Sequence, residues 1–91
     1  MNNDEFYLGT ALKLTAIIAR VPSMVYITVK SPSGVVLVDE AEMTNDTDTV
    51  WSYIYQSDAN GVEGDYVAIF KAVEGIYEGI TEDTFTLIKQ S

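Results

Sequence analysis

The stretch Glu63–Ala72, with the sequence EGDYVAIFKA, alternates strictly between two kinds of side chain. One face of an extended strand would carry Tyr66, Ala68, Phe70 and Ala72, and the other Val67, Ile69 and Lys71. Gly64 precedes the alternation and frees the backbone from the constraint of a Cβ atom where the chain enters the strand. We therefore predict that Glu63–Ala72 is the strand that closes a small β-sandwich, with Ala68 pointing into the core.

Outward from this stretch, short apolar alternations recur along the whole chain with turn residues between them. The predicted strands are Phe6–Leu8, Ala11–Ala19, Met24–Lys30, Val35–Asp39, Val50–Gln56 and Thr84–Lys89, with Ile76–Ile80 resuming after Ala72 and bulged at Gly79. About seven strands without a convincing helix predict an all-β, antiparallel sandwich. A small barrel is the alternative.

The connections carry their own signals. Ser31-Pro32-Ser33-Gly34 has proline and glycine at the positions that a tight turn favours, and Glu74-Gly75 is typical of a hairpin turn. The acidic segment Glu40–Thr49 is predicted to be a polar connection. One helical turn capped by Asp39 is the alternative there, but the run of Thr, Asn and Asp that follows would stop it.

The composition bounds the classes of function. The 91 residues are expected to form one domain, 1–91, and a hydrophobic content of 47% excludes a disordered chain. The chain contains no Cys and no His, which excludes disulfides, Cys/His zinc sites and nucleophiles activated by His. Acidic side chains are so many that a pair of them is no sign of catalysis by itself. We expect no enzyme activity and no cofactor.

The net charge of the chain argues against nucleic-acid binding. Five Lys and Arg stand against 14 Asp and Glu, a formal net charge of −9, so no basic surface for phosphates is expected. The apolar run at Ala16–Ala19 is far too short to cross a membrane, and the acidic start MNNDEFY lacks the features of a signal peptide. These features predict a protein that stays in the cytoplasm on synthesis, with the virion as a further location if it is exported inside an assembly.

Four segments in order carry a resemblance to a known family: Ser31–Val36, Trp51–Tyr55, Glu63–Tyr66 and Asp83–Leu87. Their order resembles bacterial and archaeal immunoglobulin-like modules of the macroglobulin and invasin kind, and the short immunoglobulin-like proteins of tailed-phage structural gene clusters. The resemblance covers Phe6–Ile88. It implies an immunoglobulin-like sandwich with an adhesive or structural role, and it supplies no catalytic residues.

Within this resemblance, Gly64–Ala68 is similar to strand F of the family. There a corner tyrosine bonds its hydroxyl to upstream backbone, and a cysteine often follows two residues later. The resemblance gives Tyr66 the corner role and places Ala68 where the family cysteine stands, so the inter-sheet disulfide is absent.

The candidate interface comes from the strand alternation. If Ala68 and Phe70 point inward, then Tyr26, Val67, Ile69 and Ile88 point outward, surrounded by threonines. An apolar patch on an acidic protein is typical of a contact surface, although strands favour such residues in any case. We predict that these four residues bind other protein subunits, self-association included.

Two other groups suggest different functions. Trp51, Tyr53 and Tyr55 could form a sugar-stacking platform, but a core position is favoured because the strand otherwise offers only Ser52 and Ile54 to fill the interior. The acidic loops with Asp46, Asp48, Asp58, Asn60, Glu63 and Asp65 could bind calcium, but such residues also form turns and keep edges soluble. A carbohydrate-binding sandwich and an acidic mimic of DNA are the alternatives to an assembly module.

Overall fold

The computed structural model describes residues 4–18, 24–47 and 49–89. The strands are β1 (Asp4–Tyr7), β2 (Ala11–Ile17), β3 (Met24–Lys30), β4 (Val36–Glu42), β5 (Thr44–Thr47), β6 (Val50–Gln56), β7 (Gly64–Glu74) and β8 (Tyr77–Ile88). They form a five-stranded sheet in the order β1-β8-β7-β3-β4 and a three-stranded sheet in the order β2-β6-β5. The described residues contain no helix, so the fold is all-β with two sheets, as in a sandwich.

The stretch Glu63–Ala72, which was predicted to close the sandwich, lies almost entirely in β7 at the middle of the larger sheet. β7 pairs antiparallel with β3 on one side and with β8 on the other, so that Val67 lies opposite both Lys30 and Thr84. Tyr66, Ala68 and Phe70 are buried on its inner face. The backbone N–H and C=O groups of β7 are therefore paired along both edges of the strand, as expected for the centre of a sheet.

The core lies between the two sheets and draws on both. Its buried apolar members are Leu8, Leu12, Ala16, Val25, Ile27, Val29, Met43, Trp51, Tyr55, Tyr66, Ala68, Phe70, Phe85 and Leu87. The Phe85 ring stacks on Tyr66 with a centroid distance of 5.7 Å and contacts Tyr55 at 6.2 Å. The aromatic rings therefore join the two sheets, because Tyr55 belongs to β6 and the other two to β7 and β8.

The turn at residues 31–34 and the entry to β7 lie against each other. The Gly34 N–H donates to the Ser31 carbonyl at 2.9 Å, which closes the predicted tight turn. Gly64 has a φ of +138°, and a Cβ atom there would come within 2.9 Å of Pro32 Cγ. Glycine is required at position 64 for both its backbone conformation and this close approach.

The structure differs from the predicted antiparallel sandwich of about seven strands, because the described residues form eight strands and β1 pairs parallel with β8. Individual strands differ as well. β5 (Thr44–Thr47) pairs with β6 where a polar connection was predicted; its side chains are all exposed, so the hydrophobic pattern gave no signal. β8 is one continuous strand, and the predicted bulge at Gly79 is wrong, since Gly79 pairs with Ala72 without a register shift. The hairpin turn is Gly75-Ile76, with Gly75 at a φ of +62°, one residue later than predicted.

β4 ends at Glu42, three residues beyond the predicted end at Asp39, and its pairing with β3 is irregular. Its pairing with β3 shifts register twice, between Ile27 and Val29 and between Val29 and Lys30. Glu40 adopts a φ of +47° inside the strand, and its N–H donates to Thr28 Oγ1 at 3.2 Å. These shifts are β-bulges, and they let the strand continue to Glu42 past the polar residues that were expected to end it.

Candidate interaction surface

The outer face of the larger sheet is built where β3 and β7 pair. The register places Tyr26 opposite Lys71, Thr28 opposite Ile69, and Lys30 opposite Val67. We call these six residues the β3–β7 patch. All six are partly exposed, and Val67, Ile69 and Tyr26 are its larger apolar members.

The local sequence fixes the orientation of this patch. Val25, Ile27 and Val29 are fully buried, at 0% exposure, and they hold the inner face of β3 against the core. Since side chains alternate along a strand, the residues between them must point to the outer face. The patch is therefore carried by the two strands that contribute most to the core.

The charges on the patch differ from those of the whole chain. Its six side chains include two of the chain's five basic residues and no acid, although the chain carries a net charge of −9. Lys71 Nζ lies 5.8 Å from the centre of the Tyr26 ring and 3.1 Å from Glu40 Oε1. The hydrogen bond to Glu40 raises the pKa of Lys71, so its ammonium group stays charged and is held beside Tyr26.

The structure brings Tyr26, Val67 and Ile69 together but does not bring Ile88 to them. Ile88 is partly exposed and pairs with Tyr7 at the other end of the sheet. The residue opposite Val67 on β8 is Thr84, four positions before Ile88, which is about 13 Å along a strand. Ile88 and the half-exposed Tyr7 form a separate apolar spot.

The Trp51 side chain is buried, with 6% of its surface exposed, as the core interpretation predicted. Tyr55 is buried as well, and Tyr53 packs partly against the core. The Trp51 indole N–H has no hydrogen-bond partner among the described atoms. A stacked sugar needs an exposed ring face, so the alternative of a sugar-stacking platform is not presented at Trp51.

The acidic loop residues serve separate local contacts. Asp58 Oδ1 accepts from the Asn60 N–H at 2.9 Å, and Glu63 Oε2 accepts from the Lys89 N–H at 2.7 Å. Asp65 Oδ1 accepts from Thr86 Oγ1 at 2.7 Å, and Asp46 lies 3.4 Å from Lys13 Nζ. Within the described ranges, no three acidic side chains converge on a point that could hold a metal ion. Asp48 lies outside the described residues.

Sequence reasoning missed the apolar surface on the β7–β8 hairpin. Ile76, Tyr77 and Ile80 are 90%, 69% and 68% exposed, respectively. The bulge expected at Gly79 divided this hairpin, so Tyr77–Ile88 was not predicted as one strand with a long edge. The sequence feature that could have indicated this strand is the two-residue turn. It pairs Glu74 with Tyr77 and so sets the register between β7 and the whole of β8.

No family model, no curated protein and no solved structure matches this chain. In residues 4–18, 24–47 and 49–89, no helix has the length and apolar character needed to span a membrane. What the fold and the surface define is an all-β protein of two sheets, with a partly apolar patch at the centre of the larger one.

Proposed function

We propose that this protein is a non-enzymatic structural module that assembles with other protein subunits, copies of itself included, through the β3–β7 patch. The observation that carries the proposal is the composition of the patch. Val67 and Ile69 lie beside Lys30 and Lys71 where β7 pairs with β3, and opposite Thr84 and Glu82 on β8, so this area carries more basic than acidic side chains on a chain with a net charge of −9. A central, weakly charged, partly apolar area with a charged surround is the usual anatomy of a protein–protein interface.

The finer description of the fold is part of this proposal. The order β8-β7-β3-β4 facing β2-β6-β5 supports this description, because the variable-type immunoglobulin fold orders its strands G-F-C-C′ and B-E-D. The Tyr66 hydroxyl donates to the Val62 carbonyl, as a tyrosine corner would. Ala68 is buried at the position of the family cysteine, so this module would be held together without the inter-sheet disulfide.

The resemblance to short immunoglobulin-like proteins of tailed phages extends the proposal to a virion subunit. In that setting a small sandwich contributes a surface and needs no chemistry of its own. Capsid, connector or tail genes beside this one would support the extension, and their absence would leave the assembly module without its virion setting.

The energetics favour a specific contact over general adhesion. Removing apolar surface from water contributes about 25 cal/mol per Å², against which the costs of association must be set. The acidic remainder of the surface repels other copies at long range. Raising the salt concentration screens that repulsion, so the contact should strengthen with salt.

The test is the pair of substitutions Val67→Lys and Ile69→Lys, with Ile54→Lys as the matched control. Ile54 is 61% exposed on the smaller sheet, outside the patch. Sedimentation velocity over a concentration series should show assembly of the native chain and of the control, and a monomeric double variant. Circular dichroism should show all three folded, because none of the three positions belongs to the core cluster.

A folded double variant that assembles like the native chain would place the interface elsewhere. A double variant that unfolds would show that Val67 and Ile69 stabilise the fold and are not a contact surface. A native chain that stays monomeric at every concentration and salt would exclude self-assembly.

A further inference from the structure

Most of β8 has a neighbour on one side only. β1 pairs with its final part, where Asp4 lies opposite Phe85 and Tyr7 opposite Ile88. Among the described residues, no strand pairs with the outer edge of Tyr77–Asp83, and all seven residues of this segment are exposed. Every second residue of an edge strand directs its N–H and C=O away from the sheet, so this segment presents a ladder of free backbone groups.

Three other edges of the two sheets are interrupted or short, whereas the β2 edge pairs regularly with β6 over seven residues. β4 has two register shifts and a residue at positive φ, β5 has four residues and one register shift, and β1 has four residues. Bulges and short strands are the devices that prevent an edge from pairing with another chain. The β8 segment has neither a bulge nor a short length. Its register with β7 is regular from the pair of Gly64 and Leu87 to the pair of Glu74 and Tyr77.

A shallow apolar groove runs beside this edge, between β8 and β2. It has a volume of about 290 Å³ and is lined by Ile17, Ile18, Ala72, Gly79, Ile80 and Thr81. No atom outside residues 78–80 lies within 4 Å of the place where a Gly79 Cβ would stand, so the inner side of the edge is open. A strand added to β8 could therefore bury alternate side chains in the groove.

The side chains of this segment on the outer face of the sheet determine which kind of strand could pair with it. Glu78, Ile80 and Glu82 lie on one face, in the order acid, apolar, acid. A second copy of β8 in antiparallel pairing centred on Ile80 would place Glu78 opposite Glu82 twice, and like charges directly opposite each other destabilise a strand pair. The complementary strand has basic residues at these two positions.

We propose that the outer edge of Tyr77–Asp83 binds an extended segment of another protein as an added strand. The segment carries Lys or Arg at positions i and i+4 opposite Glu78 and Glu82, with an apolar residue at i+2 opposite Ile80. Residues i+1 and i+3 are apolar and enter the groove beside Ile17 and Ile18. This surface lies at the free edge of the sheet and borders the β3–β7 patch, because Glu82 and Ile80 pair with Ile69 and Lys71.

The probe is a soluble peptide with the central sequence Lys-Val-Ile-Val-Lys, and its control has Glu in place of both Lys. Titration into the isotopically labelled protein, followed by amide chemical shifts, should show saturable binding of the Lys peptide with the largest changes at residues 77–83. The Glu peptide should bind about tenfold more weakly, since two exposed ion pairs are replaced by two repulsive ones. A Lys peptide with N-methyl groups on the pairing edge should lose binding.

The reciprocal variant is Glu78→Lys with Glu82→Lys. Both residues are exposed, so the variant should fold and should prefer the Glu peptide over the Lys peptide. The Val67→Ser, Ile69→Ser variant, which removes the apolar side chains of the patch without adding charge beside Glu82, should bind the Lys peptide as the native chain does, which separates this proposal from the assembly proposal. Equal affinity for the two peptides, absence of binding, or shifts centred on another surface would overturn it.

Discussion

The Tyr66 hydroxyl donates a hydrogen bond of 2.6 Å to the carbonyl oxygen of Val62, four residues upstream. This bond fastens the loop before β7 to the first buried residue of that strand. The Tyr66 ring stacks on Phe85 from β8, so the same side chain also contributes to the core. The entry to the central strand is therefore held by a polar contact and an aromatic contact at once.

Removing the hydroxyl tests the polar contact alone. Tyr66→Phe should lower the free energy of unfolding by about 0.5–1.5 kcal/mol, the net value of one hydrogen bond, and leave the fold intact. Urea denaturation measures the change. Tyr77→Phe is the control, because Tyr77 is 69% exposed and should show no effect. Equal midpoints for the native chain and Tyr66→Phe would mean that this bond does not stabilise the domain.

The buried tyrosines predict a loss of stability in alkali. Burial is the main cause that raises the pKa of Tyr66 and of Tyr55 above the usual 10.0. The folded state thus holds these protons more tightly than the unfolded state. The stability that this difference contributes is fully present below pH 10.0, the usual pKa of tyrosine. It is lost as the pH rises through the raised pKa values of the folded state. The free energy of unfolding should fall above that pH, and less steeply in Tyr66→Phe; an identical pH dependence in the variant would contradict the assignment.

A substitution by alanine should have different effects on stability at Gly64 and at Gly79. Gly64→Ala should destabilise the protein by roughly 1–3 kcal/mol, because the φ of +138° is strained for alanine and the new Cβ would approach Pro32 Cγ to 2.9 Å. Gly79→Ala should leave stability nearly unchanged, since open space surrounds that position. Thermal unfolding of the two variants gives the comparison. Equal midpoints would show that the turn at residues 31–34 does not pack on the entry to β7.

A charge at the centre of β7 should not be tolerated. Ala68 has 1% of its surface exposed, and Ala68→Asp would bury a carboxylate without a partner. We expect the variant to lose its near-ultraviolet circular dichroism and to be recovered mainly as aggregate. A soluble, folded Ala68→Asp protein would show that the inner and outer faces of β7 are exchanged.

Periodicity predicted the strands that face the core and little beyond them. The inward residues of β2 and β3, among them Leu12, Val25 and Ile27, follow from alternation alone and are buried as expected. The segment Thr44–Thr47 could not be recognised, because its pairing with β6 rests on backbone bonds and its side chains are all exposed. Edge strands held in this way leave no hydrophobic pattern to detect.

The candidate surface was predicted in part for a similar reason. Alternation gives the face of a strand on which a residue lies, and it assigned Tyr26, Val67 and Ile69 to the outer face of one sheet. It does not give the register between strands, which decides the residues that become neighbours. Ile88 was therefore grouped with Val67. On β8, however, Ile88 lies four residues, or about 13 Å, beyond Thr84, the residue opposite Val67.

The central claim, assembly through the β3–β7 patch, is tested most directly by a thiol placed in it. The native chain has no Cys, so Val67→Cys and the control Ile54→Cys each carry a single reactive group. The rate of modification by a chromogenic disulfide reagent is measured over a range of protein concentrations. We predict that the rate at position 67 falls as the protein assembles while the rate at position 54 stays constant. A rate at position 67 that does not change while the protein assembles, or a fall at position 54 instead, would contradict the account.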